Sequence, residues 1–311
     1  PSHGEEKDLR SGLLKDANQT LPLIDQVEIH YIPEPQPRML KFKKGELSWV
    51  ALDRDNFQQM AYHDKSGDLK IKAEADKKFE LYKEAGLTTS YLVFNLKDSK
   101  VKNKNIRKAI SHALNIQKKI ELLDNGRAVK LQTIVPPSIP GSEKELGSYG
   151  FDFDLKKAKS YLAKAGYGKG LKILELTLTL PGTSVTLQNY YEFMRNSLDS
   201  LGIKLKADYK TWPSYLKATE NGDFQIASAA WVADYPDPEN FYQLLYGPNR
   251  APGQNSSNFD HKEYNQLYEQ MRLMVHGKER LEIIRKMAKI LQEEVPVIFE
   301  STPLASGLIQ D

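Results

Sequence analysis

Cysteine does not occur in the 311 residues. Its absence excludes disulfides, thiolate nucleophiles and Cys-ligated zinc, and leaves the compartment open. No apolar run reaches about 18 residues, so no direct membrane insertion is expected of this chain. Residues Pro1 to Asp8 are polar and carry no apolar signal core, and no initiating Met is present. The expectation is a processed or truncated product. The six histidines, His3, His30, His63, His112, His261 and His276, show no H-x-x-x-H or H-E-x-x-H spacing. No metal site is expected from them. The sequence also lacks G-x-S-x-G, a P-loop and G-x-G-x-x-G. No catalytic residue and no cofactor is therefore assigned.

Charge of one sign is also missing. There are 44 basic and 41 acidic residues, for a net charge of +3. The two signs are interleaved, as in Lys77-Lys78-Phe79-Glu80. A nucleic-acid-binding surface shows a basic stripe with little acid in it, so no nucleic acid is expected as partner. Hydrophobic residues make up 40% and charged residues 27%, the composition of an ordinary globular chain. Its length implies about two domains.

The pattern along the chain has two textures. Val27–Ile32 alternates like a strand and is followed by Pro33, Pro35 and Pro37. Met39, Leu40 and Phe42 before Gly45 predict a short helix with a glycine stop. Strands are predicted over 47–52, 69–75, 79–82 and 90–96, so the first hundred residues read mostly as sheet. Helix and strand alternate afterwards. Helices are predicted over 105–125, 154–165 (Asp154 as N-cap, Gly166 as stop), 184–201, 213–219, 237–245, 262–275 and 278–294. Strands fall at 171–180, 203–209 and 224–231, and at the end over 295–300 and 304–309. Residues 100–295 thus imply an α/β domain.

The stretch Ala230-Trp231-Val232-Ala233-Asp234-Tyr235-Pro236-Asp237-Pro238-Glu239-Asn240-Phe241 is the most distinctive. An apolar strand ends at a Trp, an acid follows, and a proline-broken turn opens a helix. Strand ends leading into helices are where α/β proteins place ligand contacts. A carboxylate beside aromatic walls can hold an ammonium group through charge-assisted hydrogen bonds. The plainer reading makes Asp234 and Asp237 solvated turn acids, with Asp237 or Pro238 opening the helix. An enzymatic reading would pair Asp234 with Asp237 or Glu239 as acid and base, as in glycoside hydrolysis.

Several blocks together resemble family 5 extracellular solute-binding proteins, the oligopeptide- and dipeptide-binding class. Tyr91-Leu92-Val93-Phe94-Asn95, Asn105-Ile106-Arg107-Lys108-Ala109-Ile110, Ala113-Leu114-Asn115, Gly126 and Pro136-Pro137 match one block in order and spacing. Asp154 to Gly166 is similar to a second, and Ala230 to Phe241 to that family's Trp-x-x-Asp block. Ile24–Leu47 is similar to a further one. The resemblance implies a periplasmic-binding-protein-like α/β fold with a complete second lobe, residues 96–295, and a partial, sheet-rich first lobe. Residues 1–95 and the return strands of 296–311 would belong to the first lobe.

By the same resemblance the chain is not an enzyme. It would be the substrate-binding component of an ABC importer, capturing peptides, in particular oligopeptides, in an inter-lobe cleft. Its partners would be the peptide and the membrane permease, and its place periplasmic or otherwise extracytoplasmic. The acid of the Trp-x-x-Asp block, which commonly binds the peptide α-amino group, falls on Asp234, with Trp231, Ala233 and Tyr235 beside it. The loop after the 171–180 strand, where a basic residue would hold a dipeptide carboxylate, has no Arg or Lys over 181–188. An oligosaccharide or other non-peptide solute is the alternative within binding proteins, and an acid-pair hydrolase the alternative of another class.

Overall fold

A computed structural model describes residues 6–10, 12, 14–20, 22–64, 69–72, 79–168, 170 and 172–310. The predicted 69–75 strand runs in part outside these residues. The chain divides into two compact units, Pro1–Val50 and Ala51–Asp311. The texture change read from the sequence lies later, at residue 95.

The first unit holds helices α1 (Glu6–Arg10) and α2 (Pro35–Lys43). Prolines at its start suit α2, because first-turn N–H groups have no helical partner to lose. Gly45, at φ 79°, ends it, its N–H donating to the Phe42 carbonyl at 2.9 Å. The glycine stop is as the sequence indicates. Val27–Ile32 forms no strand, and Val27, Ile29 and Tyr31 are exposed. Alternation alone does not make a strand where no ladder is formed. Strand β1 (Trp49–Ala51) straddles the division.

The second unit begins with α3 (Arg54–Met60), β2 (Ala61–His63) and β3 (Leu69–Ile71). The last two pair antiparallel, Ala61 opposite Ile71. The helix, which hydrophobic spacing does not announce, opens with Asp53 Oδ1 accepting the Asn56 N–H at 3.1 Å. There follow β4 (Phe79–Ala85), β5 (Thr88–Phe94), α4 (Lys104–Ala113), α5 (Ile116–Leu123), β6 (Ala128–Lys130), α6 (Glu143–Leu146) and α7 (Leu155–Lys164). Then come β7 (Leu174–Leu180), α8 (Val185–Asp199), β8 (Ile203–Tyr209), α9 (Trp212–Asn221), β9 (Ile226–Val232), α10 (Glu239–Tyr242), α11 (Lys262–Met271), α12 (Lys278–Glu294) and β10 (Val297–Gln310).

The predicted 105–125 helix is two helices. Leu114 is extended, and the Asn115 side chain accepts the Lys118 N–H at 3.0 Å, capping a new start. The two final strands predicted from the sequence are one, β10. Asp154 caps α7 as expected, its Oδ1 accepting from the N–H groups of Lys156 and Lys157 at 2.9 Å.

The sheet runs β10–β5–β9–β7–β8. β7 is parallel to both β8 and β9, with Leu178 opposite Ala207 and Ile226. β5 is antiparallel to β9 and to β10. β10 then slips register between Phe299 and Ser301, pairs with β6 over Ser301–Pro303, and with β4 over Leu304–Gln310.

Side chains alternate across this sheet into two cores. Tyr91, Val93, Val297 and Phe299 join Phe241, Tyr264 and Met287 on one face. Leu92, Phe94 and Ile298 join Ile110, Leu178 and Met194 on the other. The sheet is thus a middle layer between α11 and α12 on one side and α4, α5, α7 and α8 on the other. Buried Arg107 of α4 ties the layers' ends, donating to the carbonyls of Val101 at 2.8 Å and Val295 at 2.9 Å. Burial draws its pKa down, to about 10, and the Glu294 charge only partly opposes this.

Candidate functional site

Parallel strands put their carboxyl ends on one edge of a sheet, and that edge is where the connecting loops leave room for a ligand. In this chain the edge carries Leu180 of β7, Tyr209 of β8 and Trp231 of β9. A cavity of about 590 Å³ opens beside it, lined by residues of β5, β9, α5, α8 and α9 and of the loop around Pro252. That volume lies in the range of small-molecule sites. Its walls are aromatic, from Tyr91, Tyr190, Trp212, Tyr215 and Trp231. Trp212 and Tyr215, one turn of α9 apart, stack at 5.7 Å between ring centroids. The Tyr215 hydroxyl donates to the Ser228 carbonyl at 2.7 Å. Burial pushes its pKa up to about 12, so it remains a neutral donor.

The wall also holds a charged group. Lys119 of α5 and Glu300 of β10 are both buried, and their charges approach to 3.4 Å. Lys119 Nζ also donates to Ser301 Oγ at 3.2 Å and lies 3.5 Å from Asp124 Oδ2. The Tyr190 hydroxyl donates to Glu300 Oε1 at 2.6 Å. Burial first, and then the Glu300 charge, hold the Tyr190 phenol protonated well above its ordinary range.

Of the residues singled out from the sequence, Trp231 lines this cavity; Asp234, Ala233 and Tyr235 lie outside its lining. Buried Asn240 organises the segment. Its Oδ1 accepts from Trp231 Nε1 at 2.8 Å and from the Asp234 N–H at 3.1 Å, and its Nδ2 donates to Asp234 Oδ2 at 3.2 Å. Asp234 itself is exposed. Tyr235 is also exposed and donates its hydroxyl to Glu239.

The acids proposed as partners in an acid–base pair are otherwise engaged. Asp237 accepts two bonds from Arg280 and the Glu239 N–H at 2.8 Å. Burial alone would raise the Asp237 carboxyl, but Arg280 and that N–H outweigh it and hold the group below its ordinary value. Glu239 is taken by the hydroxyls of Tyr235 and Tyr268. Among the described residues no group of His, Asp and Glu is arranged to hold a metal ion. No helix of the described residues is long and apolar enough to cross a membrane.

The sequence reading missed Lys119, Asp124 and Glu300. One signal was present. Lys119 sits on the apolar stripe of α5, Ile116-x-x-Lys119-Ile120-x-x-Leu123, where a cation needs a partner.

Residues 15–253 match the family described as "Bacterial extracellular solute-binding proteins, family 5 Middle", and the chain belongs to that family. The dipeptide-binding protein of Escherichia coli (strain K12) is 24% identical over 281 residues, covering 90% of this chain and 50% of the relative. The periplasmic binding protein DppA from Helicobacter pylori, solved with the peptide STSA, superposes with a TM-score of 0.69 at 27% identity, over 90% of this chain and 51% of that one. HbpA2 from Haemophilus parasuis shares the fold, with a TM-score of 0.78 at 21% identity over 90% of this chain and 53% of that one. The periplasmic-binding-protein-like α/β fold is thereby established. The chain spans about half the length of the relatives it matches.

Proposed function

We propose that the chain belongs to the substrate-binding component of an ABC importer, working outside the cytoplasm and delivering captured peptides to a membrane permease. It is a binder and not an enzyme. The observation that carries this reading is the aromatic-walled cavity at the carboxyl edge of β7 and β9, in a chain of a solute-binding family. A relative of the same fold was solved holding a peptide. The two acids nearest Asp234 in the sequence block are engaged in hydrogen bonds, which disfavours the hydrolase alternative.

Residues 96–295 form the second lobe, and residues 1–95 and 296–311 are pieces of the first. β5 and β10 are the crossings between them. The change of partner along β10, from β5 to β6 and then β4, supports this placement. Asp234 anchors the ligand ammonium, with Trp231 as a wall and Ala233 and Tyr235 flanking. Closure of two lobes over the peptide buries it. Incubating the protein with a mixture of short peptides and analysing the bound fraction by mass spectrometry tests the reading. Bound peptides recovered intact support it. Cleaved peptides, or no peptide retained, refute it.

A further inference from the structure

Charge within the cavity is unbalanced. Its lining residues include Asp124, Glu220 and Glu300 against a single cation, Lys119. Lys119 lies between two of the three carboxylates, 3.4 Å from Glu300 and 3.5 Å from Asp124. One ammonium cannot neutralise both. Glu300 is further served by the Tyr190 hydroxyl, whereas Asp124 Oδ2 is enclosed and accepts no hydrogen bond among the described residues. The Lys119 ammonium, shared between two carboxylates and 3.5 Å from Asp124, does not complete the Asp124 hydrogen bonding, and a donor brought by a ligand to the exposed part of that side chain adds what Lys119 does not supply.

We propose that this cavity is a specificity pocket selecting peptides with a basic side chain, a guanidinium above all. The proposal rests on the peptide-binding reading and names the ligand class for that site. An acidic side chain or a terminal carboxylate would meet the surplus negative charge. An apolar side chain would leave Asp124 with Lys119 alone, at 3.5 Å. A guanidinium supplies planar donors for Asp124 and stacks on Trp212, Tyr215 or Trp231, faces that attract cations. Lys119 is on this account a positioning residue. It holds Glu300 and Asp124 in place, and it does not itself receive the ligand.

The test follows the indole N–H signals of the protein by NMR during titration with three tripeptides differing only at the middle residue: arginine, its neutral isostere citrulline, and glutamate. N-acetyl-arginine amide and N-acetyl-citrulline amide serve as probes of the cavity alone. The arginine peptide is expected to bind on the order of tenfold more tightly than the citrulline one, with glutamate weakest. Asp124→Asn should remove the arginine preference, so that the arginine and citrulline peptides bind alike. Glu300→Gln should do the same if it folds; Asp124, with its partly exposed side chain, is the safer site. Equal binding of the three peptides, or tightest binding of glutamate, overturns the inference and leaves peptide capture standing. If no peptide binds but the arginine probe alone shifts the indoles, the cation preference stands and peptide capture falls. Failure of every ligand overturns both.

Discussion

Arg280 grips Asp237 with both terminal nitrogens, each 2.7 Å from a carboxylate oxygen. The same guanidinium donates through Nε to the Met271 carbonyl at 3.1 Å. One side chain thus joins the end of α11 and the start of α12 to the turn beyond β9, the turn that also carries Asp234. A bidentate guanidinium–carboxylate pair fixes direction as well as distance. The turn's shape is therefore set by the helical layer beneath it.

Asp237→Asn should lower the stability of the protein to urea by about 1–3 kcal/mol, the usual range for hydrogen bonds to charged groups, with the lower half expected because Asp237 is partly exposed. The sign of the pH dependence follows from the lowered Asp237 pKa. A carboxyl depressed in the folded state contributes fully above its unfolded value, near 3.8, and the contribution is lost as pH falls through the lower folded value. The gap between wild type and variant should therefore be full at neutral pH and shrink below that value. A gap of constant size down to about pH 2 would show that geometry and not charge is responsible.

Leu178→Ala should cost about 2–5 kcal/mol, since Leu178 is fully buried in the core between the sheet and α4, α5, α7 and α8. Leu122→Ala, at an exposed position of α5, should change stability by less than about 0.5 kcal/mol. Urea unfolding with an unchanged slope distinguishes the two. Similar values at both positions would contradict the packing described for α5 and β7.

The α/β alternation was legible because β7 and β8 alternate apolar with polar residues, β9 is mostly apolar, and helices start before β7 and between the three strands. Asp154 and Ser184 mark two of those starts with side chains that accept the expected N–H groups. Ile203–Tyr209 and Lys278–Glu294 have the bounds the periodicity predicts. Errors fell where local pattern and partner disagree. Val27–Ile32 alternates without forming a ladder, and Asn115 interrupts an apolar stripe that reads as continuous through it. The charged wall of the cavity was hidden for a different reason. Lys119 and Glu300 are 181 positions apart in sequence, and only the pairing of β10 with β5 and β6 brings them together. Trp231 stood out in the sequence because it closes an apolar strand; Asn240, which holds its indole, did not.

Asn240→Leu keeps the volume of the buried side chain and removes its hydrogen bonds to Trp231 and Asp234. Leaving the indole N–H and the Asp234 N–H without their acceptor should cost about 1–3 kcal/mol per stranded group. The Trp231 environment should change as well. A red-shifted indole emission, compared with a Trp231→Phe control to identify the signal, checks it. An unchanged spectrum and unchanged stability would mean that the segment holds its shape without Asn240.

Asp234→Asn tests the proposed anchor. The substitution keeps the shape of the side chain, and the asparagine can still meet Asn240, so the turn should fold as before. What it removes is the charge that an ammonium would pair with. Asp234 is exposed. On the proposed reading its attraction for an ammonium would be weak while the carboxylate is hydrated and would strengthen only where a bound peptide excludes water. If Asp234 is the anchor, peptide affinity measured by calorimetry should fall by about 2–5 kcal/mol, the usual result of removing one partner of a pair that becomes buried. N-acetylated peptides carry no terminal charge. They should bind wild type poorly and respond little to the substitution. A turn acid without a ligand role predicts the opposite pattern: free and acetylated peptides bind alike, and the substitution moves stability and leaves affinity alone. Equal binding of free and acetylated peptides to wild type is sufficient to discard the anchor.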